Sequence, residues 1–351
     1  MANKILRVGV IGAGGNTRLR HIPGLRAIHE VEIVGVCNRT PPSTAQAAKE
    51  FGIPRTYNRW QDLVSDRDID AVVIGTWPYL HCPITLAALE SGKHVLSEAR
   101  MSLDAPEAHR MLAAAQRCPN LVAQIVPSPF GLKGHEVMAE LIEGGYLGDL
   151  REVYVYSQND ALADPAAPLS WRQDAALSGY NMLNLGILQE TLLRWIPPPV
   201  SVISQVHAFI PSRIDPKSGV HRAVGTPDSV YVLAVLANGA RAVYHLSGVS
   251  RMNQGTGIML YGSAGVLHYD LIADRIFGGQ GSSGEPKGRD ALREIPIPEA
   301  KARSWRAEAD FVESIRGAVP VRMTDFATGV AYMEFTEAVA RSAQRGERID
   351  L

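Results

Sequence analysis

Along the first third of the chain the apolar residues come in short unbroken blocks. Residues 5–11, 31–37, 70–75, 94–98 and 121–126 are such blocks, and their length suits strands buried on both faces. Amphipathic stretches over 19–29, 43–51, 83–91 and 105–117 separate them, with Gly92 placed to stop the third. Strand alternating with helix predicts a parallel, doubly wound α/β sheet of the Rossmann kind. After residue 126 the pattern changes. "REVYVYSQ" alternates as a half-buried strand, and 179–196 reads as one apolar helix stopped by Pro197, Pro198 and Pro199. Two hairpins follow, around Asn238-Gly239 and around Ser263-Ala264-Gly265. Residues 278–290 have the composition of a mobile loop, and helices over 304–316 and 325–345 close the chain. The predicted division is a Rossmann domain over 1–126 and an α+β domain over 127–351. The second domain is built on a large, mostly antiparallel open sheet, for substrate binding and oligomerisation.

At 351 residues the chain exceeds one small core, in keeping with two domains. A formal net charge of -1 provides no basic field for nucleic acid. No apolar run approaches the roughly 18 residues that span a bilayer, and the opening "MANKILRVGVIG" lacks a signal-peptide plan. The three cysteines, Cys37, Cys82 and Cys118, are scattered, so they read as small buried hydrophobes in a reducing cytoplasm. No metal ligand set is expected.

Gly12, Gly14 and Gly15 directly follow the first strand and precede a helix. Glycines there permit a tight turn and let backbone amides approach a pyrophosphate at a helix N-terminus. This context points to a dinucleotide cradle that includes Asn16. Thr17 stands where a third glycine is usual, which suggests a helix set slightly farther from the sheet. Asn38, Arg39 and Thr40 end the second strand without an acid. No carboxylate there repels a 2′-phosphate, and Arg39 can pair with one or stack on adenine, so the cofactor is NADP or NAD with NADP modestly favoured.

Four segments together resemble the glucose–fructose oxidoreductase / inositol dehydrogenase (Gfo/Idh/MocA) family over almost the whole chain. They are "GVIGAGGNTRLRHIPGL", "DIDAVVIGTWPYLHCPITLAALESGKHVLSEARMSL", "EGGYLGDLREVYV" and the tail from "WRAEADFVESIRG" onward. The resemblance implies a nicotinamide cofactor, a sugar or polyol substrate, and a homodimer or homotetramer formed through the open sheet. It also implies departures. Where the family ends its fifth strand in Glu-Lys-Pro, this chain has Glu98, Ala99 and Arg100. Where the family's long helix carries a histidine, this chain has Leu188, with Gly186 retained. Thr76-Trp77-Pro78 replaces a common Thr-Pro-Asn, and His81 is kept. Thr76, Trp77, His81 and Glu98 therefore join the cofactor candidates.

Alanine cannot carry a proton, and an arginine stays protonated, so Arg100 is suited to orient rather than to accept. Tyr180 is the leading substitute proton carrier, with Glu98 and Glu190 behind it; the plain alternative for Tyr180 is a packing aromatic. On the predicted helix, Tyr180, Asn184, Leu188 and Thr191 share one face, expected to look into the cleft. Trp171 and Arg172, in the loop before it, suit a sugar or sugar acid: a ring platform beside a guanidinium. Arg213, His221 and Arg222 lie in a long loop and read as exposed charge. His21, His94 and His135 take structural defaults. The leading function is an NAD(P)-dependent oxidoreductase acting on a sugar, polyol or sugar-acid-like alcohol. The alternatives are an NAD-dependent glycosidase or lyase that recycles its cofactor, and a catalytically silent dinucleotide-binding sensor.

Overall fold

The apolar blocks form a parallel sheet. In a computed structural model describing residues 5–252, 255–281, 291–317 and 319–351, six strands are β1 (Leu6–Ile11), β2 (Val31–Cys37), β3 (Arg55–Thr56), β4 (Ala71–Ile74), β5 (His94–Ser97) and β6 (Ala123–Ile125). Their order is β3-β2-β1-β4-β5-β6, and every pairing is parallel. All four residues of β4 are buried, as a central strand covered on both faces must be. The covering helices are α1 (Ile22–Arg26), α2 (Pro41–Glu50), α3 (Trp60–Ser65), α4 (His81–Glu90) and α5 (Ala105–Arg117). A five-residue π-turn, Thr17–His21, leads into α1.

The second sheet has nine strands. They are β7 (Leu150–Gln158), β8 (Pro199–His207), β11 (Ser229–Leu236), β12 (Arg241–Ser247), β13 (Gly255–Gly262), β14 (Gly265–Asp270), β15 (Arg275–Gln280), β16 (Arg293–Ile295) and β17 (Ile349–Asp350). The order is β16-β15-β14-β13-β7-β12-β11-β8-β17, and β7–β12 is its parallel pair. β9 (Ser212–Ile214) and β10 (His221–Ala223) form a separate hairpin. One face carries the core, with Val155, Val232, Tyr244 and Leu267 packed against Leu188 and Leu192 of α8 (Leu185–Leu193) and Phe335 and Val339 of α10 (Phe326–Arg345). On the other face Ile203, Tyr231, Leu233 and Val243 are 37% to 56% exposed. Both expected hairpins form, and Gly239 at φ +86° supplies the backbone that the first requires.

Three expectations change. The helix expected over 179–196 is interrupted: α7 (Ala175–Ser178) ends at Gly179, φ +62°, Leu183 sits at φ +56°, and α8 begins only at Leu185. Positive φ at both positions breaks the helical repeat. The domain division also differs, because the chain forms two compact units, 1–127 with 306–333 and 128–305 with 334–351. The segment carrying α9 (Ala307–Ile315) belongs to the first unit. It is pinned there by the Ile125 amide on the Thr324 carbonyl and the Met101 amide on the Tyr332 hydroxyl. Finally, residues 278–280 of the expected loop are part of β15; 282–290 lie outside the described residues.

Candidate dinucleotide site and neighbouring residues

The sheet reverses its order between β1 and β4, and ligands of such sheets bind beyond the strand ends at that point. The glycine turn stands there. Gly12 adopts φ +89°, and a Cβ on it would meet the Gly75 carbon at 2.7 Å. Its amide donates to the Cys37 carbonyl, and the Gly14 amide donates back to Gly12. The amides of Gly15 and Asn16 open the helical segment, where the first N–H groups have no intrahelical acceptor. A Cβ on Gly15 would meet nothing within 4 Å, so the approach to those donors is open. Thr17 does not hold the helix away. It is buried, its hydroxyl donates to the Gly12 carbonyl at 3.0 Å, and a Cβ at Gly75 would fall 2.0 Å from that hydroxyl. The close approach usually provided by a helix glycine is provided here by Gly75, just beyond β4.

A cavity of about 290 Å³ opens on the β2 side, where such folds place adenosine. Its walls are the glycine turn, Asn38–Thr40, Ser43, Trp60, Gly75–Trp77 and Tyr79, with no carboxylate among them. The Arg39 guanidinium lies 5.0 Å over the Trp77 ring, a cation–π stack. Asn38 also lines the cavity, but its side chain is spent inside the protein. Its Oδ1 accepts from the Ala13 amide at 2.7 Å, and its Nδ2 donates to the Ser43 carbonyl. It therefore ties the glycine turn to α2, whose N-terminus carries a Thr40–Ser43 capping box. The Thr76 hydroxyl is buried without a hydrogen-bond partner among the described residues. An orphaned group in a cavity wall fits a ligand that completes it.

On the β5 side, His81 is buried with Nδ1 2.8 Å from the Arg100 carbonyl and Nε2 3.0 Å from the Thr76 carbonyl. It thus bridges the turns after β4 and β5, and burial pushes its imidazole down from the ordinary value. Arg100 is half-buried, and the Ala99–Arg100 peptide is cis. Glu98 sits at the strand end, its side chain 16% exposed. One oxygen, Oε1, takes both the Asn16 amide at 2.5 Å and His21 Nε2 at 2.9 Å. Asn16 thus meets the site through its side chain as well as its backbone. His21, unremarkable in the sequence, is fully enclosed between carboxylates: its Nδ1 lies 2.5 Å from Glu308 on α9. Nothing near His21 in sequence signals this, because Glu308 arrives from the far end of the chain.

Within the second unit, Trp171 and Arg172 stack on each other, with the guanidinium carbon 4.4 Å from the ring centroid. The Arg172 carbonyl accepts from Ser178, Asn181 and Thr226, so the turn that presents the pair is held firmly. Tyr180 is half-buried against the core, and Asn184 stands at the N-cap position of α8 without a side-chain capping bond, donating instead to the Ser157 hydroxyl at 3.3 Å. With the helix broken, Tyr180 does not share the face of α8. Thr191, expected as a ligand contact, is fully buried, its hydroxyl 2.9 Å from the Ile187 carbonyl and 3.0 Å from Ser128. Glu190 is likewise enclosed, paired with Arg194 at 2.5 Å. Arg213 is buried rather than exposed, gripping the Leu162, Asp164 and Ala167 carbonyls. His135 stacks on Trp195 and accepts its indole N–H; burial, then Arg194 and Arg303, push it down to about 4. His94 accepts the Val122 amide. Among the described residues no helix is long and apolar enough to cross a membrane, and no three His, Cys, Asp or Glu side chains form a metal cluster.

A glycine turn at the switch point of a parallel sheet, joined to a nine-stranded sheet unit, defines a two-unit dinucleotide-binding protein. Comparison with known families agrees: residues 6–124 match the oxidoreductase family with an NAD-binding Rossmann fold, and residues 135–268 match the GFO/IDH/MocA C-terminal domain. The chain belongs to the Gfo/Idh/MocA family of NAD(P)-dependent oxidoreductases. It is 23% identical over 350 residues to an uncharacterized oxidoreductase of Rhizobium meliloti, covering 97% of this chain and 98% of that one. It is 27% identical over 220 residues to a levoglucosan dehydrogenase of Pseudarthrobacter phenanthrenivorans, covering 58% and 56%. A solved levoglucosan dehydrogenase in complex with NADH and levoglucosan shares the fold, with a TM-score of 0.85 at 22% identity over 99% of both chains.

Proposed function

We propose that this enzyme moves a hydride between the nicotinamide of NAD(P) and an alcohol carbon of a sugar, polyol or sugar acid. The observation that carries the reading is the glycine turn at the switch point: an exposed Gly15 with open space at its Cβ position, at the start of the helical segment, beside a cavity whose wall leaves the Thr76 hydroxyl orphaned. A bound nicotinamide would supply the hydride acceptor or donor. The chain's own part is to grip and orient. Gly12, Gly14, Gly15 and Asn16 hold the pyrophosphate, Arg39, Trp77 and Thr76 line the adenosine side, and His81 and Glu98 shape the nicotinamide end. The levoglucosan dehydrogenase likeness supports a sugar-class substrate. Trp171 and Arg172 suit its apolar ring face and its oxygens. Asn184 offers a further polar contact. Tyr180 is the proposed proton carrier in place of the absent lysine, and Arg100 orients the substrate without taking its proton.

We further infer a preference for NADP. A carboxylate-free wall, the Arg39 guanidinium and the capped N-terminus of α2 together favour a 2′-phosphate. The test is calorimetry with both reduced nucleotides, then a panel of cyclic sugars and polyols followed in the nicotinamide absorbance. Arg39→Ala is expected to weaken NADPH by roughly tenfold or more and to leave NADH nearly unchanged. Net nucleotide reduction by a panel member supports the hydride-transfer reading. Bond cleavage without net reduction assigns the recycled-cofactor alternative, binding without turnover assigns the sensor, and failure of both nucleotides to bind removes the whole reading.

A further inference from the structure

Both ring nitrogens of His21 face carboxylate oxygens, Nδ1 toward Glu308 and Nε2 toward Glu98. A neutral imidazole has one N–H and can satisfy only one of them; an imidazolium satisfies both. Burial by itself pushes the ring toward neutrality. The hydrogen bonds to Glu308 and then to Glu98 reverse that and raise His21 to about 9. Burial likewise works against the charge on Glu98. The hydrogen bond and charge of His21, with help from the Asn16 amide, hold its carboxyl below the ordinary value. The groups facing this cluster are thus Glu98 after β5, Glu308 on α9, Asn16 in the glycine turn, and His81 on α4. Gly24 makes room for the clamp, since a Cβ on it would meet Glu308 Oε2 at 2.8 Å. Asn16 and His21 both take Oε1 of Glu98, so Oε2 carries neither of these bonds; Glu98 itself follows β5 at the carboxyl edge of the parallel sheet, the edge at which such folds hold their nucleotide.

We propose that His21, clamped as an imidazolium by Glu308, is a positioning residue that keeps Glu98 ionised and oriented across neutral pH, so that a constant negative charge faces the nicotinamide end of the nucleotide. The oxidised ring is cationic and the reduced ring is neutral, so the same charge favours the oxidised form. This rests on the nicotinamide reading above, and the two fail separately.

The first measurement needs no nucleotide: nitrogen chemical shifts of the His21 imidazole followed from about pH 6 to pH 10. The expected result is a doubly protonated ring through neutral pH, losing its proton near 9. A ring that is neutral at pH 7 overturns the proposal. The second measurement is the Kd of oxidised and reduced nucleotide over the same range in wild type, Glu308→Gln and Glu98→Gln. Wild type should show affinities flat to about pH 8, whereas Glu308→Gln should bring the His21 proton loss into the neutral range and give the oxidised-form affinity a new dependence on pH of several-fold. Glu98→Gln should lower the preference for the oxidised form by several-fold and remove that dependence. A clamp that only packs would leave both profiles flat, and that result also overturns the proposal. If no nucleotide binds, the function reading fails while the imidazole titration still decides the charge state of His21.

Discussion

Gly75 and Gly15 are both small residues of the proposed nucleotide site, and they are small for different reasons. Gly75 is filled from behind: an added Cβ meets the Thr17 hydroxyl at 2.0 Å and the Gly12 carbonyl at 2.4 Å, one of them backbone. Gly75→Ala should therefore lower the unfolding free energy by about 1–3 kcal/mol and weaken the nucleotide together with it. Gly15 faces open space. Gly15→Ala should leave the melting temperature unchanged, yet weaken nucleotide binding by about tenfold, because a methyl group would stand where the diphosphate approaches. Melting and calorimetry on the two variants separate these roles. Equal Kd values for Gly15→Ala and wild type would place the cradle elsewhere. Thr17 shows the same logic from the sequence side. The missing third glycine reads as a helix pushed outward, but the space is surrendered by Gly75, many residues away, and no local pattern connects the two.

Strands were more legible than the helix meant to carry the site. The unbroken blocks of the first sheet and the alternation of β11, β12 and β14 follow from burial on two faces or one, a demand written residue by residue. The stretch 179–196 is largely apolar, so its hydrophobicity hides the break at Gly179 and Leu183, which is a matter of backbone φ rather than of side-chain polarity. The break takes Tyr180 off the face of α8, whereas Thr191 keeps its helical spacing from Leu188 on a face that is buried. Arg213 is illegible in the sequence for a related reason: its partners are three main-chain carbonyls, invisible to any pattern of side chains. The outer face of β8, β11 and β12 also belongs at this scale. Ile203, Tyr231, Leu233 and Val243 form an apolar strip on it, and a patch of that kind favours association of copies, a homodimer or homotetramer in our reading. Leu233→Asp points outward, so it should spare the fold and shift sedimentation toward the monomer. A wild-type chain that already sediments as a monomer would remove the reading.

Across the whole molecule the buried and half-buried histidines set opposite limits on stability. His135, held near 4, and His81 and His94, pushed down mainly by burial, are neutral in the fold. The unfolded chain takes up their protons first, so stability falls as pH drops from the ordinary histidine value toward 4. Glu98, held low, adds its own loss at still lower pH as it is finally protonated. His21 works the other way. Its folded value near 9 lies above the unfolded one, so its contribution is complete below the unfolded value and disappears as pH rises through 9. The shift corresponds to roughly 2 kcal/mol lost between about pH 7 and pH 9. Above that, the buried thiols of Cys37 and Cys82, each raised to about 11, add a further alkaline loss, because the unfolded chain ionises them sooner. Urea unfolding at intervals across this range should show greatest stability near neutrality and a fall on both sides. In Glu308→Gln the alkaline fall below pH 9 should flatten, since His21 then gains less from folding. An alkaline limb of unchanged steepness in that variant would mean that the Glu308–His21–Glu98 cluster does not hold its proton in the folded state.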